Sequence, residues 1–270
     1  MPELPEVETT RRGLEPHVVG KTITAVTIRQ AKLRWPITSH LSHHITKQKL
    51  IQLERRAKYL LFHFQSGTML MHLGMSGSCR VVAPPCDAGK HDHVDWLFHD
   101  GTLMRFNDPR RFGCVLWRAD PWQDRLLAHL GPEPFADQFD ASYLKQKASG
   151  RRVSVKQFIM DQRVVVGVGN IYASEALFMA GIHPKRHAGR VSLTRYARLV
   201  EAIKQVLQRA IEAGGTTLKD FVSAEGQPGY FKQDLLVYGR SGSPCTQCQG
   251  AIKNDVIQGR NSFYCHYCQQ

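Results

Sequence analysis

The sequence predicts an α+β chain of several domains: a β-sandwich with flanking helices, then a helical part, then a small tail folded around metal. Three observations predict it. Short β-textured runs crowd between Thr22 and Asn107, apolar residues recur at helical spacing in Ser192–Ala213, and two Cys-x2-Cys pairs close the chain.

Residues 4–15 fit a first helix, with Leu4, Val7 and Leu14 on one face and Gly13 near its end. Pro5 suits the first helical position, and the acidic residues Glu6 and Glu8 favour its positive end. Strands are expected at Thr22–Arg29, Leu50–Arg55, Tyr59–Phe64, Thr68–Leu73, Val94–His99 and Thr102–Asn107, with Asp100-Gly101 as a two-residue hairpin. Pro132 and Pro134 mark a boundary, and beyond about residue 140 the pattern turns helical. In Ser192–Ala213, Tyr196, Leu199, Val200, Ile203, Val206, Leu207, Ala210 and Ile211 form an apolar stripe stopped by Gly214-Gly215. The expected division is 1–132, 133–234 and 235–270.

At 270 residues the chain is long enough for two cored domains and a small third module. Its formal charge of +13 points to a polyanionic partner. No strongly basic amphipathic helix stands out, so nucleic acid is favoured over membrane. No run approaches the roughly 18 apolar residues of a membrane span, and the N-terminus lacks a signal peptide's apolar core, so the expected location is the cytoplasm.

Seven cysteines in a cytosolic chain argue for metal rather than disulfides. Cys245-x2-Cys248 and Cys265-x2-Cys268, 16 residues apart, have tetrathiolate zinc spacing. Four thiolates leave no open position, so one structural Zn2+ is expected. So short a tail depends on that metal for its folding energy. Cys79, Cys86 and Cys114 lack ligand spacing, and His91-Asp92-His93 lacks a third and fourth ligand.

The first residues carry the chemistry. Removal of Met1 would leave Pro2 with a free secondary amine, and an α-amino group titrates near ~8 against ~10.4 for lysine. Such an amine is partly neutral at physiological pH and suits attack on a sugar carbon to form a Schiff base. Glu3 supplies an adjacent carboxyl for proton exchange.

Further motifs follow. Arg55-Arg56-Ala57-Lys58 is a cation cluster at the start of an apolar strand. His72-Leu73-Gly74-Met75-Ser76-Gly77 puts Met75 on a glycine-rich turn, and an exposed apolar tip can wedge into stacked bases. In Asn107-Asp108-Pro109-Arg110-Arg111-Phe112-Gly113, Phe112 can stack and Arg110 can pair. An enzyme that extrudes one base must fill the hole and hold the widowed partner. Arg151-Arg152 forms a basic patch, and Val164–Glu175 places glycines and Asn170 at a helix start suited to phosphate.

The N-terminal Met1-Pro2-Glu3-Leu4-Pro5-Glu6-Val7-Glu8, the Val164–Pro184 stretch and the cysteine tail together resemble the bacterial formamidopyrimidine-DNA glycosylases, and the resemblance runs from Pro2 to Cys268. It implies a helix–two-turn–helix domain, a zinc-finger hairpin, and a monomer acting on double-stranded DNA that contains an oxidised base. It implies Pro2 as nucleophile and Glu3 as acid/base. Lys58 and Arg260 would contact the lesion phosphates and aid catalysis, and His91, Arg151 and Asn170 would bind DNA. Met75, Arg110 and Phe112 would fill the vacated stack, with Arg110 reading the estranged cytosine. The glycine- and threonine-bearing stretch Gly215–Phe231 looks like the segment that closes over the everted base. Two alternatives stay open. One is the sister endonuclease VIII-type enzymes for oxidised pyrimidines, which typically begin MPEGPE. The other is a non-catalytic damage-binding module.

Overall fold

The computed structural model describes residues 2–82, 86–214 and 235–270. They fall into two compact units, one built on the residues up to 128 and the other on residues 129–212 and 235–270.

The first unit is a sandwich of two antiparallel four-stranded sheets. One has the order β1 (Ile23–Ile28), β6 (Asp92–Phe98), β7 (Leu103–Asn107), β5 (Ser78–Val82). The other has the order β2 (Gln52–Arg56), β3 (Tyr59–Phe64), β4 (Gly67–His72), β8 (Cys114–Arg118). Both inner faces feed one core, in which Leu60, Phe62, Met69 and Met71 meet Trp96, Phe98, Met104 and Phe106. Helix α1 (Leu4–Val18) lays Val7, Leu14 and Val18 into that core, and the short α2 (Leu41–Ile45) adds Leu41 and Ile45.

Helix α1 outruns the expected end. It passes through Gly13 and Pro16, and the Val19 N–H closes the last turn on the Glu15 carbonyl at 3.1 Å. Burial of Leu14 and Val18 outweighs the helix-weakening effect of Gly13 and Pro16. Three elements were not expected: α2, too short to show a period, and β5 and β8. Cys114–Trp117 is buried residue after residue and shows no alternation, so periodicity misses it.

Register decides where the loops go. Residues 72–78 lead from β4 to β5, and residues 107–114 lead from β7 to β8, so each crosses between the sheets. β4 pairs with β8 at His72↔Cys114, and β5 pairs with β7 at Ser78↔Asn107. The two crossovers therefore begin and end side by side. Gly74, at φ +74°, lies so close that an added Cβ would sit 2.4 Å from the Gly113 nitrogen and 2.6 Å from the Phe112 carbonyl carbon.

The second unit holds α3 (Ala141–Lys147), α4 (Val155–Met160), α5 (Asn170–Met179) and α6 (Leu193–Glu212), with the hairpin β9 (Ile252–Ile257)–β10 (Arg260–Cys265). The residues of the expected apolar stripe on α6 are all buried. Helix α5 is buried from Ile171 to Phe178. Within it the Glu175 carboxylate accepts the backbone N–H groups of Leu236, Val237 and Tyr238 at 2.7, 3.0 and 2.8 Å. Those three bonds tie the start of the tail to the helical body.

Gly20 and Gly74 separate backbone strain from crowding, because both have positive φ but nothing lies within 4 Å of a Cβ at Gly20. Gly20→Ala is expected to cost about 1 kcal/mol from left-handed strain alone. Gly74→Ala is expected to cost about 3 kcal/mol or more, read from urea midpoints of the two variants.

Candidate functional site

Pro2 and Glu3 are both buried where α1 begins. Glu3 is the N-cap residue, and its backbone N–H donates to the Glu6 carboxylate at 2.7 Å. Pro5 fits the first turn because its missing N–H is one the helix cannot use there. The amine chemistry expected of Pro2 depends on Met1, which lies outside the described residues, as does the Gly215–Phe231 segment.

Lys58 sits in the β2–β3 turn and is 3% exposed. A chain of contacts joins this turn to α1. The Glu8 carboxylate accepts from Arg55 Nε at 3.1 Å, and Arg55 Nη1 donates to the Ala57 carbonyl at 3.0 Å. Ala57 takes φ +55°, so the turn at Lys58 depends on that anchor. Burial pushes the Glu8 carboxyl up, but hydrogen bonds from Arg11 and Arg12, with the charges of Arg11 and Arg55, outweigh it and hold it below the usual range. Across the β3–β4 hairpin, burial and the charges of Lys58 and Arg34 lower His72 to about 4. Its neutral Nδ1 accepts the Gly74 N–H at 2.9 Å, which starts the crossover carrying Met75.

The structure brings Met75, Arg110 and Phe112 together on the paired crossovers. Met75 is 40% exposed and Phe112 47%, although each adjoins a buried glycine. The Arg110 guanidinium carbon lies 5.9 Å from the Phe112 ring centre, and its Nε donates to Ser76 Oγ at 3.2 Å. His91 is half-buried at the base of the same loop, where its carbonyl accepts the Asp108 N–H at 3.0 Å. Asp92 and His93 are structural: Asp92 accepts from Asn107 and Gly89, each at 2.8 Å, and His93 bonds the Asp108 carbonyl at 2.8 Å.

In the second unit, Arg151, Asn170 and Arg260 line one cleft of about 420 Å3. Arg260 is the first residue of β10, just past a two-residue turn, Gln258-Gly259, whose φ values of +49° and +68° suit a tight hairpin. Sequence reasoning passed over another cation of this cleft, Lys156. It is 2% exposed, and its Nζ donates to Asn170 Oδ1 and Ser262 Oγ, each at 2.7 Å. Asn170 Nδ2 in turn donates to the Asn261 carbonyl at 2.9 Å. These bonds lock the start of α5 to the strand bearing Arg260. The available signal was a lysine at the end of the basic stretch 145–156, indistinguishable by type from its exposed neighbours.

The four tail cysteines converge, with all sulfurs within 4.8 Å of one another. Cys245 and Cys268 approach to 3.8 Å and Cys248 and Cys265 to 3.4 Å. A tetrahedron with metal–sulfur bonds of ~2.3 Å requires edges of ~3.8 Å, so the cluster can hold a metal ion. Among the described residues it is the only such cluster. Cys245 and Cys265 pack with Phe178, Val237 and Ile252, so the ligands double as core.

The family described as the formamidopyrimidine-DNA glycosylase N-terminal domain matches residues 1–115, and the one described as the formamidopyrimidine-DNA glycosylase H2TH domain matches residues 130–222. A formamidopyrimidine-DNA glycosylase of Syntrophotalea carbinolica is 56% identical over 271 residues, covering all of both chains. The chain belongs to the formamidopyrimidine-DNA glycosylase family. A family member from Alcanivorax borkumensis is 55% identical, again over both full lengths. Among solved structures, the Thermus thermophilus glycosylase MutM (Fpg) superposes with a TM-score of 0.89 at 36% identity, covering 99% of this chain and 98% of that one. The Lactococcus lactis enzyme Fpg, in complex with DNA containing an abasic site, gives 0.90 at 30% identity and 99% coverage of each. A MutM bound to DNA containing carbocyclic 8-oxo-G gives 0.89 at 32%, covering both chains fully. The expected fold class, with its sandwich, helical domain and terminal hairpin, is that of this glycosylase family.

Two outcomes follow for stability. Glu8 has a lowered pKa in the folded state, so its contribution is complete above about 4.5 and is lost as pH falls through the folded value. Glu8→Gln is expected to cost about 2 kcal/mol at neutral pH, and denaturation at descending pH should show the gap to wild type closing below about 4.5. Treatment with a strong chelator is expected to abolish amide protection across 252–265, measured by hydrogen exchange, while β3 and β4 keep theirs.

Proposed function

We propose that this chain is a bifunctional DNA glycosylase and abasic-site lyase of base excision repair, removing 8-oxoguanine and formamidopyrimidines from duplex DNA. The observation that carries this reading is the buried Pro2-Glu3 pair at the capped start of α1, in a chain 56% identical over its full length to a formamidopyrimidine-DNA glycosylase. The solved relatives bound to abasic or 8-oxoguanine DNA support the substrate class. Zn2+ is the metal assigned to the four cysteines, as a structural ion. The protein acts as a monomer in the bacterial cytoplasm, at the nucleoid. No described helix is long and apolar enough to cross a membrane.

With Met1 removed, the Pro2 amine attacks the sugar C1′ of the everted nucleotide as the bond to the damaged base breaks. Glu3 exchanges protons with the opening sugar ring. The resulting iminium acidifies the C2′ hydrogen, so the 3′ phosphate leaves by β-elimination and the 5′ phosphate by δ-elimination, leaving a one-nucleoside gap. Lys58 and Arg260 neutralise lesion phosphates, and His91, Arg151 and Asn170 bind the flanking backbone. Asn170 has a second amide N–H for this beyond the one it gives Asn261. Met75 and Phe112 fill the vacated stack, and Arg110 pairs with the orphaned cytosine. The functional division remains 1–132 for catalysis, 133–234 for DNA binding and 235–270 for the zinc hairpin.

Borohydride trapping on duplex DNA with one 8-oxoguanine opposite cytosine tests this. A covalent adduct mapped by mass to an N-terminal Pro2 is expected, and Glu3→Gln should lower its rate of formation about a hundredfold or more. An adduct on Lys58 would overturn the nucleophile. Trapping only with an oxidised pyrimidine would overturn the substrate class. Tight binding without any adduct, in protein shown to lack Met1, would leave a damage-binding module.

A further inference from the structure

Ser76 is 3% exposed, yet its hydroxyl serves an exposed side chain. Its Oγ accepts the Arg110 Nε–H at 3.2 Å, the one hydrogen bond it makes among the described residues. Both ends of that bond rest on fixed backbone. On one side the Gly77 N–H closes the 73–77 turn on the Leu73 carbonyl at 3.0 Å, and Gly74 is pressed against Gly113. On the other side Asp108 is fully buried, its Oδ2 accepts the Gly113 N–H at 2.7 Å, and its carbonyl accepts the Arg111 N–H at 3.1 Å.

A guanidinium offers two kinds of paired donor edge, one using Nε with a terminal nitrogen and one using both terminal nitrogens. Ser76 occupies the first, so an approaching base meets the second, two parallel N–H donors. On their Watson–Crick edges the four DNA bases differ in how acceptors are placed. Cytosine presents two adjacent acceptors, N3 and O2. Thymine separates its two acceptors by a donor, while adenine and guanine present a donor directly beside an acceptor. Two parallel donors therefore match cytosine and place a donor against a donor with the purines.

We propose that Ser76 is a specificity-determining positioning residue, holding Arg110 by Nε so that only its terminal N–H pair faces the unpaired base. Ser76 thereby sets the preference for the base opposite the lesion. The proposal rests on the reading of Arg110 given above.

The test is single-turnover excision of 8-oxoguanine opposite cytosine and opposite adenine by wild type, Ser76→Ala, Arg110→Ala and the double variant. Each result is the ratio of the two rates from one preparation, so a loss of folded enzyme cancels. Ser76→Ala is expected to reduce the cytosine-to-adenine ratio roughly tenfold, the scale of a hydrogen bond to a charged group. It is expected to change nothing further in the Arg110→Ala background, where no guanidinium remains to be oriented. If Arg110→Ala lowers the ratio and Ser76→Ala leaves it at the wild-type value, the positioning role is overturned and the arginine reading stands. An equal effect of Ser76→Ala in both backgrounds would assign it to packing and also overturn the role. If Arg110→Ala retains the wild-type ratio, the arginine reading itself falls, and this inference with it.

Discussion

Chain ends fray unless something ties them down, and the first unit depends on how this one is tied. Val7, Leu14 and Val18 sink α1 into the sandwich core, which buries Pro2 and Glu3 at its start. The Glu6 carboxylate then holds the Glu3 backbone, and Glu8 reaches Arg55 to hold the turn that presents Lys58. One amphipathic helix thus fixes both Pro2 and the lysine turn, through apolar burial on one face and carboxylates on the other. Reactive groups held on rigid elements keep tighter geometry than groups on loops. The chemistry proposed for Pro2 would draw on that rigidity.

The second unit solves a different problem, concentrating positive charge without losing shape. Arg151, Asn170 and Arg260 come from three segments far apart in sequence. Lys156 holds two of those segments together by neutral acceptors, the Asn170 amide oxygen and the Ser262 hydroxyl. A buried ammonium is costly unless its protons are satisfied, so these contacts constrain one another closely. The cysteine cluster packs with the hairpin through Ile252 and Cys265, and the Glu175 carboxylate anchors the start of the tail beside Val237 of that cluster. Arg260 is exposed, but the strand that carries it is fixed at several points.

Much of this was legible in the sequence, for identifiable reasons. The α6 stripe and strand Tyr59–Phe64 were readable because one-sided burial imposes a period and turn residues bound the run. The cysteine pairs were readable because tetrahedral coordination demands a spacing. Strand β8 was not, since a strand buried on both faces has no alternation, and α2 is too short to show one. Lys156 and Ser76 were opaque for another reason. Their importance lies in partners at a distance, Ser262 for one and Arg110 for the other, and nothing local marks a lysine as buried or a serine as an acceptor. The proximity of Met75 to Arg110 likewise came from strand pairing, which composition does not encode.

The contact between Gly74 and Gly113 bears on how this family can vary. Where two backbones touch, a side chain cannot be added at position 74 without moving the facing backbone, and the strand pairs on either side hold the ends of both loops. A lineage that gains a side chain at position 74 must therefore also reshape the chain at 112–113, whereas the exposed Met75 beside it is under no such constraint.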